Sequence, residues 1–480
     1  MMKSFFALGT VATLFACGDS TLAPDARSPD APAAVDAKVV DAPLVDAPPF
    51  IAPAPFAVPL SAAGPDQLQS AIAGPADTFY AAGFAARTLT GNKQVVVVKL
   101  TATGPVAGFG TGGVAVSAIV SATGAAGEIG LAAQPSGKIV VVATIANTVN
   151  PLDRDLVVYR IDGTTGALDT TFGTAGSVVL DLNTALDATV AAQRDASRGI
   201  AVAPNGTIYV LGAQRRAMAT ATDSDIAVVR LTVDGALDAT FGTAGKFTHD
   251  IQNVNVTPRG IRVLPDGSAV IFGYATTPAV GNTVQALIYK ITAAGALDPA
   301  FATAGFFHDS VLATQTETYN GAIHGNKFVT GGYGRESSAA GVTNDYISLR
   351  FDLTTGARDL TWGGAPNGAV VFDPSGTMAG NNCRNAVALP GGKTLLIGSA
   401  GPSNMAAQDA VFAVLDANGA LDRAYGDGIH TYALGANLND QFWGGAVSGN
   451  TALIVGYKGG GATPTDTAND DAWGLLLPLR

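Results

Sequence analysis

The feature of this sequence that most restricts its fold is a segment that recurs about every 60 residues. Residues 166–176 read Gly-Ala-Leu-Asp-Thr-Thr-Phe-Gly-Thr-Ala-Gly, and residues 235–245 and 295–305 are close copies. Degenerate copies lie at residues 104–113, 356–363 and 419–426. In the five clearest copies, successive aspartates are separated by 69, 60, 61 and 63 residues. Repetition at such a period is typical of a fold assembled from equivalent supersecondary units.

Each repeat carries the signals of four short strands. An apolar, strand-like run precedes the motif, as in residues 155–160 and 225–230, and another apolar run follows it. Further upstream, two apolar runs flank a Pro-Asn-Gly or Pro-Asp-Gly turn, as in residues 201–212 and 262–273. This is the pattern of a β-hairpin. The hairpin and the following strand each occur seven times along the chain.

We therefore predict an all-β fold, a seven-bladed β-propeller made of four-stranded repeats of about 61 residues over residues 56–480. The seventh repeat ends at Arg480, before its own fourth strand. We expect residues 56–60 to pair with residues 471–477, because this pairing would complete the last blade and remove both free sheet edges. A β-solenoid has much shorter rungs, and separate domains of this size would have too small a core.

Composition supports this choice and excludes several classes of function. Glycine accounts for 59 of 480 residues, only 14% are charged, and the only glutamates are Glu128, Glu317 and Glu336. Because glutamate and lysine populate exposed helix faces, whereas aspartate and glycine populate turns, a helical bundle, a coiled coil and an α/β enzyme are disfavoured. The net charge of −11 argues against a nucleic-acid partner, which requires a basic surface.

Residues 1–17 have the pattern of an export signal. Lys3 is followed by the apolar run 5–16, which is too short to span a bilayer. The sequence Leu-Phe-Ala-Cys at residues 14–17 resembles the lipobox of bacterial lipoproteins, and this resemblance implies a lipid anchor on Cys17. The alternative is an ordinary signal peptide with an incidental cysteine. If Cys17 carries lipid, Cys383 has no disulfide partner.

Residues 18–55 are predicted to be a disordered linker. The segment is rich in Ala, Pro and Asp and has no aromatic residue before Phe50. Such a composition does not bury enough apolar surface to fold by itself. We interpret it as a spacer between a membrane and the propeller, with peptidoglycan binding as the alternative.

The repeated motif, with its preceding Arg-Leu or Arg-Ile, resembles the delta-60 repeat of bacterial surface and secreted proteins. The resemblance covers residues 66–480 and implies a propeller-like array. That family carries no established activity, so the resemblance assigns no functional residue to this chain.

The positions that recur in each copy of the motif are interpreted as structural residues of a turn. The aspartates would cap the turn through backbone N–H groups, and the Leu and Phe positions would hold the turn between blades. Calcium binding by the aspartates is the alternative, although the loop lacks the bidentate acid of an EF-hand. The turn residues are Leu168, Asp169, Phe172, Gly173, Leu237, Asp238, Phe241, Gly242, Leu297, Asp298, Phe301, Asp359, Trp362, Leu421, Asp422 and Tyr425.

No catalytic, cofactor or metal site is predicted. The Gly-x-Gly-x-x-Gly match at residues 108–113 is followed by a strand pattern instead of the helix that a dinucleotide site needs. His249 and His308 lie in predicted outer strands, where a zinc site would not assemble. Cys383 and the tryptophans Trp362, Trp443 and Trp473 are expected to fill space in and between blades.

The combined pattern predicts a lipid-anchored propeller at the outer membrane or cell surface. It would act as a non-catalytic binding or adhesion scaffold for an unknown protein or glycan ligand. The main alternative is a propeller enzyme, a hydrolase or lyase with its site at the mouth of the central channel; a purely structural spacer is a third. Residues that break the repeat would mark a site, and these are Arg215, Arg216, Glu336 and the run 381–384.

Overall fold

The apolar runs of the repeats form antiparallel strands, and the inner strands of each repeat are buried on both faces. The run Val95–Val98 within the third strand of the first repeat is fully buried. β-branched residues favour a pleated sheet, and a sheet covered on both faces needs apolar side chains at successive positions.

We describe the fold from a computed structural model, which describes residues 49–61, 64–86, 92–122, 128–149, 153–183, 195–217, 222–251, 254–277, 283–339, 342–364, 366–376, 380–401, 407–435, 438–460 and 470–480. The predicted export signal, Cys17 and the linker up to residue 48 lie outside these residues. Within the described ranges, no helix has the length and apolar character needed to cross a membrane.

The strands group into antiparallel units, here called blades, which have four strands each except for the first blade, where the two-residue strand Gly104–Pro105 makes a fifth; a single parallel pair, Val284 with Gln315, links the fourth blade to the fifth. Blade 1 contains β2 to β6, which span Asp66–Ala73, Phe79–Ala85, Gln94–Thr101, Gly104–Pro105 and Val114–Val120. Blade 2 contains β7 to β10, which span Gly130–Ala133, Lys138–Ala146, Arg154–Asp162 and Ser177–Leu180. Blade 3 contains β11 to β14, which span Ala196–Val202, Ile208–Ala217, Thr222–Leu231 and Lys246–His249.

The second half of the chain repeats this arrangement. Blade 4 contains β15 to β18, which span Asn255–Val263, Ala269–Thr277, Thr283–Ile291 and Phe306–Asp309. Blade 5 contains β19 to β22, which span Gln315–His324, Lys327–Arg335, Asp345–Asp352 and Ala369–Phe372. Blade 6 contains β23 to β26, which span Asn382–Ala388, Thr394–Ala400, Asp409–Leu415 and Ile429–Tyr432. Short 3-10 turns lie at Trp362–Gly364, Pro390–Gly392 and Arg423–Tyr425.

The last blade is built from both ends of the propeller sequence. It contains β27, β28 and β29, which span Gln441–Ser448, Thr451–Lys458 and Asp471–Pro478, together with β1 at Phe56–Ala57. Phe56 pairs with Gly474 and Ala57 pairs with Trp473 in antiparallel register. The backbone N–H of Val58 also donates to the Ala472 carbonyl over 2.8 Å. The N-terminal segment therefore adds the outer strand that the last repeat lacks, as the sequence predicts.

The hydrophobic core consists of clusters between adjacent blades. One such cluster joins Tyr209 and Ile226 of blade 3 to Ile271 and Tyr289 of blade 4. The cluster that joins Leu453 and Val455 to Leu68 and Phe79 packs the last blade against the first. The chain is thus an all-β propeller whose blades are held together by side chains from both neighbours.

The hairpin turns explain the Pro-Asn-Gly sequences. In the turn between β11 and β12, the Asn205 side-chain oxygen accepts a hydrogen bond from the Thr207 N–H over 3.1 Å. Gly206 has a φ of 86°, a conformation that glycine adopts without steric cost.

Candidate functional site

The aspartates of the repeated motif cap their own turns. The Oδ1 atom of Asp169 accepts a hydrogen bond from the Thr171 N–H over 3.1 Å, and Asp238 does the same with Thr240 over 3.1 Å. Asp298, Asp359 and Asp422 make the equivalent bond over 3.0 Å in each case. Such an Asx turn needs only one carboxylate oxygen.

The second carboxylate oxygen of each motif aspartate faces a cationic side chain. Arg160 contacts Asp169 and Arg230 contacts Asp238, both over 2.8 Å. The same contact recurs between Lys290 and Asp298 at 3.0 Å and between Arg350 and Asp359 at 2.8 Å. In the last copy the equivalent position is Val414, and Lys393, before β24, lies 2.7 Å from Asp422 instead. Bonds from the Thr240 hydroxyl and from Arg230 lower the pKa of Asp238. Both oxygens are thus engaged by protein donors, which weighs against calcium binding at these turns.

The same turns fasten each blade to the next. Besides contacting Asp169, Arg160 donates to the Val233 carbonyl of the next blade over 2.7 Å and lies 4.8 Å from the centre of the Phe172 ring. The Gly173 N–H donates to the Asp234 carbonyl over 2.9 Å. The aromatic position is fully buried in all five copies, at Phe172, Phe241, Phe301, Trp362 and Tyr425.

The leucine position differs from expectation. Leu168 and Leu237 are 50% and 52% exposed, so they do not hold the turn between blades. Each lies over the last glycine of its own turn, where a Cβ atom on Gly176 or Gly245 would approach the leucine side chain to less than 3 Å. In these two copies the leucine covers the turn from outside, whereas Leu297 and Leu421 are half-buried and pack against hydrophobic clusters that join neighbouring blades.

The unrepeated features of the chain meet in the central channel. The first strands of the blades line this channel, and in six of those that the structure describes one residue bulges out of the pairing with the second strand. A β-bulge re-aims the side chain of the extra residue. The bulged residues that line the channel are Gln69, Arg198, Arg259, Tyr319, Arg384 and Trp443.

Three of these residues form what we call the arginine cluster, Arg198, Arg259 and Arg384. Their side chains are largely buried, and the Nε atom of each has no hydrogen-bond partner among the described residues. Burial and the neighbouring Arg259 lower the pKa of Arg198 to about 10. Two buried cations that lie side by side repel each other, so the cluster favours an anion.

Two carboxylates lie near the cluster: Glu128 contacts it directly, and the buried Glu317 interacts electrostatically with Arg259 and Arg384. Glu128 Oε1 accepts a hydrogen bond from Arg259 over 3.0 Å and lies 3.9 Å from a terminal nitrogen of Arg198. Glu128 precedes β7, and its backbone N–H donates to the Ser197 carbonyl of the next blade over 2.9 Å. This contact turns the residue away from its own blade and toward the arginines.

Aromatic side chains complete the lining next to the arginines. The Tyr319 hydroxyl accepts a hydrogen bond from Arg384 over 2.8 Å and lies 3.2 Å from the Tyr333 hydroxyl. The guanidinium groups of Arg259 and Arg384 lie 4.5 and 5.2 Å from the centre of the Tyr319 ring. Arg384 also lies 4.8 Å from the Trp443 ring. Burial raises the pKa of Tyr319 to about 12, so its hydroxyl keeps its proton at neutral pH.

The channel contains a cavity of about 450 Å³, within the ~300–1,000 Å³ usual for small-molecule sites. Its charged lining residues within the described part of the chain are Glu128, the arginine cluster and Arg262, which lies further along β15. The cavity wall therefore carries an excess of three positive charges, although the whole chain has a net charge of −11. Such a local reversal of charge raises the concentration of anions at the site.

Of the residues that break the repeat and have a described side chain, Arg384 reaches this site. Arg215 lines a smaller cleft beside Arg198, and Glu336 is exposed at the end of β20. Trp362 fills space between blades as expected, but Trp443 lines the channel. A signal for the cluster was present, because Arg198, Arg259 and Arg384 each lie six positions before the proline of a hairpin turn, at Pro204, Pro265 and Pro390.

The other candidates take structural positions. Cys383 is fully buried, and burial raises its pKa to about 12, so its thiol is unreactive. The histidines lie on four different blades, at His249, His308, His324 and His430. The one acidic group in the described residues with the spacing of a metal site contains Asp153, Asp155 and Asp181, outside the motif turns.

The comparison with family models agrees with the fold. A family described as "Domain of unknown function (DUF5122) beta-propeller" matches residues 203–241, which include one hairpin and one motif turn. No curated protein matches the sequence. The β-propeller domain of the Trilobed protease from Pyrococcus furiosus is similar with a TM-score of 0.43 and 10% identity, over 87% of this chain and 97% of that one.

Two further solved structures give weaker likenesses. Pyrococcus horikoshii acylaminoacyl peptidase matches with a TM-score of 0.42 and 10% identity, over 86% of this chain and 52% of that one. Trypanosoma rangeli sialidase matches with a TM-score of 0.38 and 8% identity, over 89% of this chain and 58% of that one. The repeats, the strand pairing and the family match together place this chain among β-propeller repeat proteins.

Proposed function

We propose that this chain is a non-catalytic binding protein of the cell envelope, and that it binds an anionic ligand in its central channel. The observation that carries the proposal is the arginine cluster, in which Glu128 contacts Arg198 and Arg259 but the Nε atoms of all three largely buried arginines have no partner among the described residues. Buried arginines with unused donors are energetically unfavourable unless an anion completes them.

The geometry suits recognition of a small acidic molecule. Guanidinium groups bind carboxylate and phosphate with directional paired hydrogen bonds. The phenol of Tyr319 and the indole of Trp443 add apolar surface beside the charges, and the side chains of Asn320 and Asn385 add amide groups on the same wall. A glycan or metabolite that bears an acid group matches this combination of charged, polar and aromatic side chains in the cavity wall.

The test is a titration of the full-length protein with glucuronate, citrate, inorganic phosphate and sulfate, and with neutral glucose, at constant ionic strength. At a concentration of about 100 times the dissociation constant, a true ligand adds about 2.7 kcal/mol to the free energy of unfolding. We expect a rise in melting temperature with at least one anion and none with glucose. Arg259→Met should abolish the rise, whereas Arg423→Met, at an exposed position outside the cavity, should retain it.

An equal rise in the Arg259→Met variant would contradict the proposal, as would the absence of a rise with every anion. Mass spectrometry of the ligand after incubation separates binding from turnover. Recovery of unchanged ligand supports the binding function, and conversion would favour the alternative of a hydrolase or lyase at the channel.

The envelope location rests on the predicted lipid anchor. Cys17→Ala should move the protein from the membrane fraction to the soluble fraction, because the acyl chains are lost. Cys383→Ala is the matched control, since Cys383 lies in the core, and should leave the protein in the membrane fraction. A membrane-bound Cys17→Ala variant would contradict the anchor.

A further inference from the structure

The inference concerns the chemical class of the ligand and rests on the proposed anion site in the channel. We propose that Glu128 occupies the position of the ligand's acid group, so that the ligand bears a carboxylate and must displace Glu128 from the arginines. Glu128 is then a specificity-determining residue that acts as a competitor within the chain.

The position of Glu128 carries the first step. Its Oε1 atom lies between Arg259, at 3.0 Å, and Arg198, at 3.9 Å. The wall of the channel therefore already holds one carboxylate, and the contact defines where a planar acid group meets the cluster. A carboxylate from a ligand can make the same contacts with the same two guanidinium groups.

The contact between Glu128 and the two arginines also leaves hydrogen-bond donors unused, so a ligand carboxylate can replace Glu128. Glu128 engages one terminal nitrogen of Arg259 at hydrogen-bond distance, and Arg198 lies beyond that distance. The Nε atoms of both arginines have no partner among the described residues. A ligand that bonds both guanidinium groups directly would gain more than it displaces, because charge-assisted hydrogen bonds to Arg are the strong ones.

The position of Glu128 in the repeat indicates that its contact with the arginines is specific to blade 2. In the repeat alignment, the neighbouring residue Ile129 is equivalent to Arg198 and Arg259, because each lies six positions before the hairpin proline. In blade 2 the position equivalent to the arginines is therefore the apolar Ile129, and the residue that contacts the arginines is Glu128, one position earlier. Since Glu128 is one of only three glutamates in the chain, its placement on the arginines is not a product of the repeat.

The experiment measures the dissociation constant of glucuronate for the full-length protein by calorimetry at constant ionic strength. Glu128→Gln keeps the size of the side chain and removes the competing charge, so we expect it to bind glucuronate about tenfold more tightly than the parent protein. Glu128→Asp keeps the charge on a shorter side chain and should fall between the two. Glu336→Gln, an exposed glutamate outside the cavity, should leave the constant unchanged.

Two results would contradict the inference about Glu128 but would still be consistent with an anion site in the channel. One is glucuronate binding by the parent protein that is unchanged or weaker in Glu128→Gln, which would make Glu128 a structural partner of the arginines. The other is tighter binding of phosphate or sulfate than of glucuronate, which would replace the carboxylate class with a tetrahedral anion. If the parent protein and Arg259→Met bind none of the three anions, the proposed function itself fails.

Discussion

The motif turns and the channel wall are built from equivalent positions of the same repeats, yet they behave in opposite ways. In the five copies of the motif turn that have an aspartate, one carboxylate oxygen caps the turn, a cationic side chain lies beside the other, and the aromatic residue is buried. At the bulge positions of the channel, the residue changes from blade to blade, and three arginines keep unpartnered Nε atoms.

This difference separates structure from function in a repeat protein. A residue that recurs in every repeat has a task that every repeat needs, which here is the fastening of one blade to the next. A residue that differs at an equivalent position is free from that task. The residues of the channel wall are therefore the ones expected to determine the function of this chain. The following predictions test whether the repeated turns are structural and the unrepeated channel residues functional.

The largest expected effect is on the motif turns. Phe241→Ala should lower the free energy of unfolding by about 3–5 kcal/mol, because it removes a fully buried ring on which Arg230 stacks. Trp443→Ala, in the partly exposed channel wall, should cost less despite the larger side chain. Urea unfolding measures both, and an equal loss in the two variants would break the comparison.

A matched pair of arginine variants sharpens the comparison. Arg230→Met breaks the ion pair with Asp238 and should lower the free energy of unfolding by about 2 kcal/mol. Arg198→Met removes a buried charge that Arg259 repels, and it should leave stability unchanged or raise it by about 1 kcal/mol. The second variant should also lose anion binding. A clear loss of stability in Arg198→Met would show that the cluster is structural.

The free energy of unfolding should also depend on pH in opposite directions for the two regions. At the motif turns, the pKa of Asp238 is lowered, so the stability it provides is present at neutral pH and is lost on acidification. At the start of the channel-lining strand β11, burial raises the pKa of Asp195 to about 8. A raised pKa means that stability is lost as the pH rises through that value.

Between about pH 6.5 and about pH 8.5, Asp195 should therefore account for a fall of about 2 kcal/mol in the free energy of unfolding. Asp195→Asn should flatten the profile over this interval, whereas Asp427→Asn, at an exposed position on another blade, should not. Unfolding curves at several pH values test this. An unchanged slope in Asp195→Asn would place the pH-sensitive group elsewhere.

The sequence predicted the repeated part of the molecule well, for a physical reason. The spacing of Asp169, Asp238 and Asp298, and turns such as that at Gly206, are local signals that act within a few residues. The pairing of Phe56 with Gly474 also followed from counting strands. The equal spacing of Arg198, Arg259 and Arg384 from a hairpin proline is a sequence signal, but it does not place them in the channel, because the bulge that turns each arginine inward is set by the register of two strands. The position of Glu128 depends on a contact with the next blade.

The smallest expected effect concerns calcium. Added calcium, or its removal with EDTA, should leave the melting temperature unchanged, because Thr240 and Arg230 already engage both oxygens of Asp238. The acidic group around Asp181 is the one competing explanation within the described residues, so a rise with calcium must be repeated in Asp181→Asn. A rise that persists in Asp181→Asn and disappears in Asp238→Asn would make the motif turns a ligand site. In that case the repeated motif turns would have a binding function, and the assignment of structure to repeated residues and function to unrepeated residues would be wrong.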